Sequence, residues 1–275
     1  AWTAAAVTGT HGLVIGCGVY FISYPKFFSW LRPKSKGTPA DDGIHHEEVL
    51  LANRCTAWVT RCLTAAPSKA ICLCHGRSKN KAWLRPLIRA LAPEYTVLAF
   101  DFPGHGGTPY CATGLGYKEA DSVDLALDLL ERRGFEHILV YGCSMGGAAA
   151  LLSQARRPHP SVRGVITDGT YAVFADVVEH RAQMLPQYLR HTTLFAVRLL
   201  LGIDPWKVRP IDAVADMQVP VRLLIGKQDK LVPVEVTLAM AARNPRAEAI
   251  VHEGGHDHPS NHKVVSEAVH RFARE

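Results

Sequence analysis

Ile138-Leu139-Val140-Tyr141-Gly142-Cys143-Ser144-Met145-Gly146-Gly147-Ala148-Ala149-Ala150-Leu151-Leu152 is the stretch that decides the fold. An apolar run that reads as a buried strand enters a Gly-x-Ser-x-Gly turn, and small helix-forming residues follow. A turn this sharp forces the serine into a strained backbone conformation. Glycine two positions to either side leaves room for the strand and helix to pass each other. The hydroxyl then sits at a helix N-terminus, where free N–H groups and the dipole favour a developing negative charge. The pentapeptide alone also occurs in ordinary turns; the flanking strand and helix give it weight.

A serine hydroxyl needs a base to become a nucleophile, and the base needs an orienting acid. Both are expected just after later strands. Val219 to Gly226 reads as a strand, and the loop after it carries Asp229. Ala247 to His252 reads as another and runs into Glu253-Gly254-Gly255-His256. The order Ser144, Asp229, His256 fits three groups at the C-terminal ends of strands in one sheet. Asp168, after the preceding strand, competes as the acid, its bland reading being a turn-forming Asp-Gly pair. His252 and His258 compete as the base. With His262 these histidines form a cluster, but it lacks the spacing and supporting carboxylates of a zinc site, so no metal is expected. No dinucleotide or P-loop motif sits between a strand and a helix, and no cofactor is expected.

Two further segments carry a family resemblance. Cys72-Leu73-Cys74-His75-Gly76-Arg77 resembles the His-Gly turn after the third strand of α/β-hydrolases. Asp101-Phe102-Pro103-Gly104-His105-Gly106-Gly107-Thr108 resembles their D-x-P-G-H-G-x-S loop, with Thr108 in place of serine. The chain is most similar to membrane-anchored, short-capped serine hydrolases, over residues 45–275. The resemblance implies a mostly parallel eight-stranded sheet with helices on both faces and a helical cap insertion. It implies an oxyanion hole from the backbone N–H groups of Met145 and Arg77, and a structural role for Asp101 and His105. It further implies hydrolysis of a carboxylic ester or thioester of an apolar or acyl-chain substrate, as in esterases, lipases and thioesterases. A non-hydrolytic receptor or scaffold on the same fold, and a carbon–carbon bond hydrolase, remain open.

Length and composition agree with one catalytic domain: 275 residues, 48% apolar, with strand-like and helix-like segments alternating. The alternation breaks between Asp168 and Val219, too long a stretch for a simple loop, so a cap is expected at about residues 169–212. Its centre, His180 to Ile203, reads as one amphipathic helix that covers the pocket or also meets a membrane surface. The formal net charge of +6 is local, in Lys26 to Lys36 and Arg77 to Arg89. No nucleic-acid reading element accompanies it, so nucleic-acid binding is not expected. Seven cysteines, an odd number without framework spacing, read as reduced thiols.

No charged side chain precedes Lys26. Residues 1–25 therefore read as an N-terminal transmembrane anchor, with a signal peptide as the alternative, and Gly12-x-x-x-Gly16 as a close-packing motif. Residues 26–44 read as a basic linker. Basic residues on that side alone place the catalytic domain on the cytoplasmic face. The sequence says nothing about oligomeric state.

Overall fold

The computed structural model describes residues 2–24, 36–62, 69–256, 261–272 and 274. Helix α1 (Trp2–Ser23) comes first, then strands β1 (His46–Leu50), β2 (Thr56–Thr60) and β3 (Lys69–Cys74). Helix α2 (Arg85–Leu91), β4 (Thr96–Phe100), α3 (Glu119–Arg132), β5 (His137–Cys143), α4 (Met145–Arg156) and β6 (Val162–Asp168) follow in alternation. The cap contributes α5 (Phe174–Arg181) and α6 (Gln187–Leu201). The chain closes with α7 (Pro210–Asp216), β7 (Val221–Gly226), α8 (Val234–Ala241), β8 (Ala247–His252) and α9 (Asn261–Phe272).

The eight strands form one sheet in the order β1-β2-β4-β3-β5-β6-β7-β8. Strand β2 is antiparallel to both β1 and β4, and every later pairing is parallel. Parallel strands covered on both faces need continuous apolar runs, which Ala70 to Cys74 and Val97 to Phe100 supply, all buried. Successive side chains feed opposite layers. Cys72 and Cys74 join α3, α4, α7 and α8 on one face, while Ile71 and Leu73 join α2 and α9 on the other. Leu84, Leu87, Ile88 and Leu91 are fully buried there, each contributing on the order of 2 kcal/mol of apolar burial. None of the seven cysteines forms a disulfide, Cys55 and Cys62 included.

The cap departs from the single expected helix. Helix α5 stops at Arg181 and α6 starts at Gln187, after Pro186. Proline lacks an N–H and fixes its own φ, so it opens a new helix more readily than it continues one. Helix α8 was missed by the sequence reading; its apolar residues lack a sharp one-faced period.

The N-terminus requires a larger correction. Among the described residues no helix is long and apolar enough to cross a membrane, so the single-pass anchor and the membrane side deduced from it fall away. Helix α1 interleaves its aliphatic residues with glycines, threonines and His11, and its C-terminal half spends its apolar face on the protein. Val19 and Ile22 are buried with Val197, Leu201 and Ile203 of the cap region. The Thr113 N–H donates to the Ser23 carbonyl at 2.7 Å. The close helix contact lies elsewhere than expected: Gly12 and Gly16 face open space, whereas a Cβ on Gly18 would lie 3.0 Å from Thr193 of α6. Residues 25–35, most of the linker reading, lie outside the described residues. At its end, Asp41 and Asp42 pair with Arg85.

Candidate active site

Strand β5 delivers Ser144 into the expected elbow. Its φ of 51° and ψ of −115° lie in a region that L-residues rarely occupy, a local strain typical of functional sites. Neighbouring glycines make the turn possible. A Cβ on Gly142 would come within 2.4 Å of Gly146 and Gly147 backbone, and one on Gly146 within 2.4 Å of the Cys74 carbonyl. The Ser144 N–H donates to the Asp168 carbonyl at 2.8 Å, and Thr170 Oγ1 donates to the Ser144 carbonyl at 3.2 Å. These bonds hold the strained residue, whose side chain opens at the α4 N-terminus.

The three residues singled out at strand ends converge. His256 Nδ1 donates to Asp229 Oδ2 at 2.7 Å, and Ser144 Oγ donates to His256 Nε2 at 3.1 Å. Asp229 is held by its own loop: Oδ1 accepts the N–H groups of Leu231 and Val232 at 2.8 and 2.9 Å. Its carboxylate is 1% exposed and the His256 side chain 18%, so the acid is enclosed while the imidazole stays partly open. Glycine again allows the approach of two loops, because a Cβ on Gly226 would lie 2.4 Å from the Gly254 carbonyl. Gln228 adds a bridge, its Oε1 accepting the Gly254 N–H at 2.6 Å.

The competing residues go elsewhere. Asp168 does not reach His256. Its carboxylate faces His252 Nε2 at 3.3 Å and accepts from Asn261 Nδ2 at 3.0 Å. His252 is thereby engaged as well, its Nδ1 donating to the Glu253 carbonyl. His258 lies outside the described residues. His262 packs edge-on against Trp83, and burial lowers its pKa to about 4. Among the described residues, the histidine–carboxylate group close enough to share a cation is Asp128, Glu131 and His159, not this cluster. There the Ser161 N–H occupies His159 Nδ1, so neutral imidazole carries its proton on Nε2, the atom a cation would need.

On the other side of Ser144 lies the His-Gly turn. A Cβ on Gly76 would stand 3.6 Å from Ser144 Cβ, which brings the Gly76–Arg77 peptide beside the hydroxyl. His75 shapes the turn: Nδ1 donates to the Gly76 carbonyl at 2.8 Å and Nε2 accepts the Phe102 N–H at 3.1 Å. Burial lowers its pKa and keeps it neutral. Asp101 ties the neighbouring loops together. It accepts the N–H groups of Lys81 and Gly107 and pairs with Lys81 Nζ at 2.7 Å. Burial opposes ionisation of Asp101, but the Lys81 ammonium and the Gly107 N–H outweigh it and hold the carboxyl below its ordinary range. His105 sits behind this turn with its pKa lowered by burial to about 3. Neither Asp101 nor His105 bonds to Ser144, His256 or Asp229, in line with a structural role.

Sequence reasoning missed two neighbours of the site. Gly169, with φ of 61°, lies against the acid–base contact: a Cβ there would sit 3.0 Å from His256 Nδ1 and 3.1 Å from Asp229 Oδ2. Asn261 bridges Asp168 and the Gly255 carbonyl. The Asp168-Gly169 pair was visible as a turn, but nothing local in the sequence links it to residues 252–261.

Comparisons with known proteins agree with this architecture. A family model described as the alpha/beta hydrolase fold matches residues 69–204. The chain is 26% identical to the alpha/beta hydrolase domain-containing protein WAV2 of Arabidopsis thaliana, over 79% of this chain and 74% of that one. It is also 26% identical to a pimeloyl-[acyl-carrier protein] methyl ester esterase of Xanthomonas campestris, over 74% of this chain and 94% of the relative. Among solved structures, a Pyrococcus furiosus esterase superposes with a TM-score of 0.70 at 23% identity, covering 88% of this chain and 96% of that one.

Proposed function

This chain belongs to the α/β-hydrolase superfamily, and on that premise we propose that it is a serine hydrolase of carboxylic esters working through a Ser144–His256–Asp229 triad. The observation that carries the reading is the unbroken hydrogen-bond chain from Ser144 Oγ through His256 to Asp229. A retained fold without catalysis would have no need of it, least of all on a strained serine.

In the proposed reaction Ser144 Oγ attacks the ester carbonyl carbon and His256 Nε2 takes its proton. Asp229 holds Nδ1–H and stabilises the imidazolium that forms. The negative charge on the carbonyl oxygen meets the N–H groups of Met145, at the α4 N-terminus, and Arg77. Collapse breaks the bond to the leaving oxygen, which receives the proton from His256 Nε2. The acyl group now rests on Ser144. Water then attacks it, with His256 again as base, releasing the acid and restoring the serine.

An apolar acyl group is the proposed substrate side. Tyr171, Phe174, Val197 and Leu201 form an apolar cluster in the cap region, joined by Ala148 of α4. A relative named for an acyl-carrier-protein methyl ester supports an acyl ester over a carbon–carbon substrate. The test uses the full chain, a fluorophosphonate probe and p-nitrophenyl esters of graded acyl length. Ser144 is expected to be labelled. Ser144→Ala is expected to lose the label and to lower turnover on the order of 10⁴-fold or more. Near wild-type turnover by folded Ser144→Ala would sink the mechanism.

A further inference from the structure

Behind the Asp229–His256 pair lies a second acid–histidine pair, Asp168 and His252. Asp168 stands at the end of β6, and three groups converge on it. Its carbonyl accepts the Ser144 N–H at 2.8 Å. Carboxylate Oδ1 faces His252 Nε2 at 3.3 Å, and Oδ2 accepts from Asn261 Nδ2 at 3.0 Å. The last two partners each continue to the loop that carries His256. His252 Nδ1 donates to the Glu253 carbonyl at 2.8 Å, and Asn261 Nδ2 donates to the Gly255 carbonyl at 3.0 Å. Two carbonyls of the segment before His256 are therefore tied to one buried carboxylate.

That segment needs external ties. Gly254 has φ of 138°, and its neighbour is a second glycine, so the chain has little conformational preference of its own. We propose that Asp168, His252 and Asn261 form a buried positioning network that sets the His256 loop and works in the form with His252 protonated. The network acts on the proposed base and touches no substrate; it rests on the Ser144–His256–Asp229 reading.

Hydrogen bonding dictates the charge. A backbone carbonyl and a carboxylate oxygen are both acceptors, so both ring nitrogens of His252 must carry protons to satisfy them. The ring is 5% exposed and Asp168 2%, and a buried imidazolium persists only with a counter-charge. Asp168 supplies it and raises the His252 pKa against the opposing effect of burial. The other titratable groups facing this site are few. Asp229, from the loop after β7, raises the His252 pKa further. Glu253, next in the chain, turns outward to Lys227 and Gln228. His262 of α9 stays neutral, with a pKa of about 4 and Lys79 as its nearby cation. The sign follows. The pKa is raised above the ordinary histidine value, chiefly by the hydrogen bond to Asp168, and as pH rises through it one of the two bonds of His252 is lost and the loop loosens. Turnover is then expected to fall on the alkaline side.

The test combines ring ¹⁵N NMR of the histidines with kcat and KM for p-nitrophenyl butyrate between pH 5 and 10. Wild type, Asp168→Asn and His252→Gln are compared. In wild type both His252 ring nitrogens are expected to be protonated at neutral pH, and kcat is expected to fall with the same titration. Asp168→Asn should move both the titration and the alkaline limb to lower pH. Its kcat should drop about tenfold, as a small misplacement of a catalytic group does, with KM within about twofold of wild type. His252→Gln should abolish the limb altogether. A neutral His252 ring at pH 7, or an alkaline limb unmoved in both variants, overturns the proposal. Ring NMR on wild type decides the charge state even if a variant fails to fold. Fluorophosphonate labelling is read separately: an unlabelled wild type sinks the Ser144 mechanism, whereas a labelled, active wild type with unmoved limbs sinks the positioning network alone.

Discussion

Asp229–His256 and Asp168–His252 are the same two side-chain types, at the ends of strands β6, β7 and β8, yet their surroundings assign them different work. Asp229 is enclosed and fixed by two backbone N–H groups, while its histidine remains partly open and faces Ser144. In the second pair both members are enclosed, and the histidine spends its other nitrogen on a backbone carbonyl. A base must have one ring nitrogen facing the proton it takes; a positioning group must have none to spare. Hydrogen-bond partners of the second nitrogen, not residue type or strand position, separate the two roles.

Exchanging the acids gives the largest expected contrast. On the proposed mechanism Asp229→Asn should lower kcat on the order of 10⁴-fold, since the amide favours the wrong tautomer of His256. Asp168→Asn should cost about tenfold, by misplacement alone. Steady-state kinetics on the two variants checks this, and the reverse ranking would move the orienting acid to β6.

Gly169 tests how tightly the first pair is seated. Alanine there would place its Cβ 3.0 Å from His256 Nδ1 at a φ of 61°. Kcat should fall on the order of 10²-fold from displacement of the imidazole. Far-ultraviolet circular dichroism should remain that of wild type, because strands β6 and β7 keep their partners. A fully active Gly169→Ala would mean that the acid–base contact tolerates displacement.

The smallest effect belongs to the remaining histidines and separates stability from activity. His262 and His105 are held neutral by burial, with pKa values of about 4 and about 3, and His75 is lowered too. Each binds a proton on unfolding near the ordinary value of 6.5 but not in the folded chain. Their stabilising contribution is therefore present above 6.5 and is lost as pH falls through and below it. His252 has the opposite sign: its contribution is present below its ordinary pKa and lost as pH rises through the raised one. Urea unfolding from pH 8 to pH 4 should show a falling midpoint below about 6.5. A midpoint independent of pH over that range would refute the neutral-histidine account.

Much of this was legible in the sequence because it is written in local pattern. The elbow, the His-Gly turn and the apolar runs of β3 to β6 are contiguous segments whose side chains and glycines answer to their own backbone. Asp229 and His256 were readable because each follows a strand in a fixed order. Helix α1 was misread for the complementary reason. Absence of charge is a property of composition, whereas the partner of an apolar face is a property of packing, and Val19 and Ile22 spend theirs on the cap.

The sequence by itself determined the sheet, the elbow and the three residues proposed for chemistry, since periodicity and glycine placement act over a few residues. Tertiary structure alone decided which acid meets which histidine, because Asp168 lies 84 residues from His252 and 93 from Asn261 in the chain. Hydrogen-bond pairing at about 3 Å depends on where strands end in space, and no local pattern encodes that.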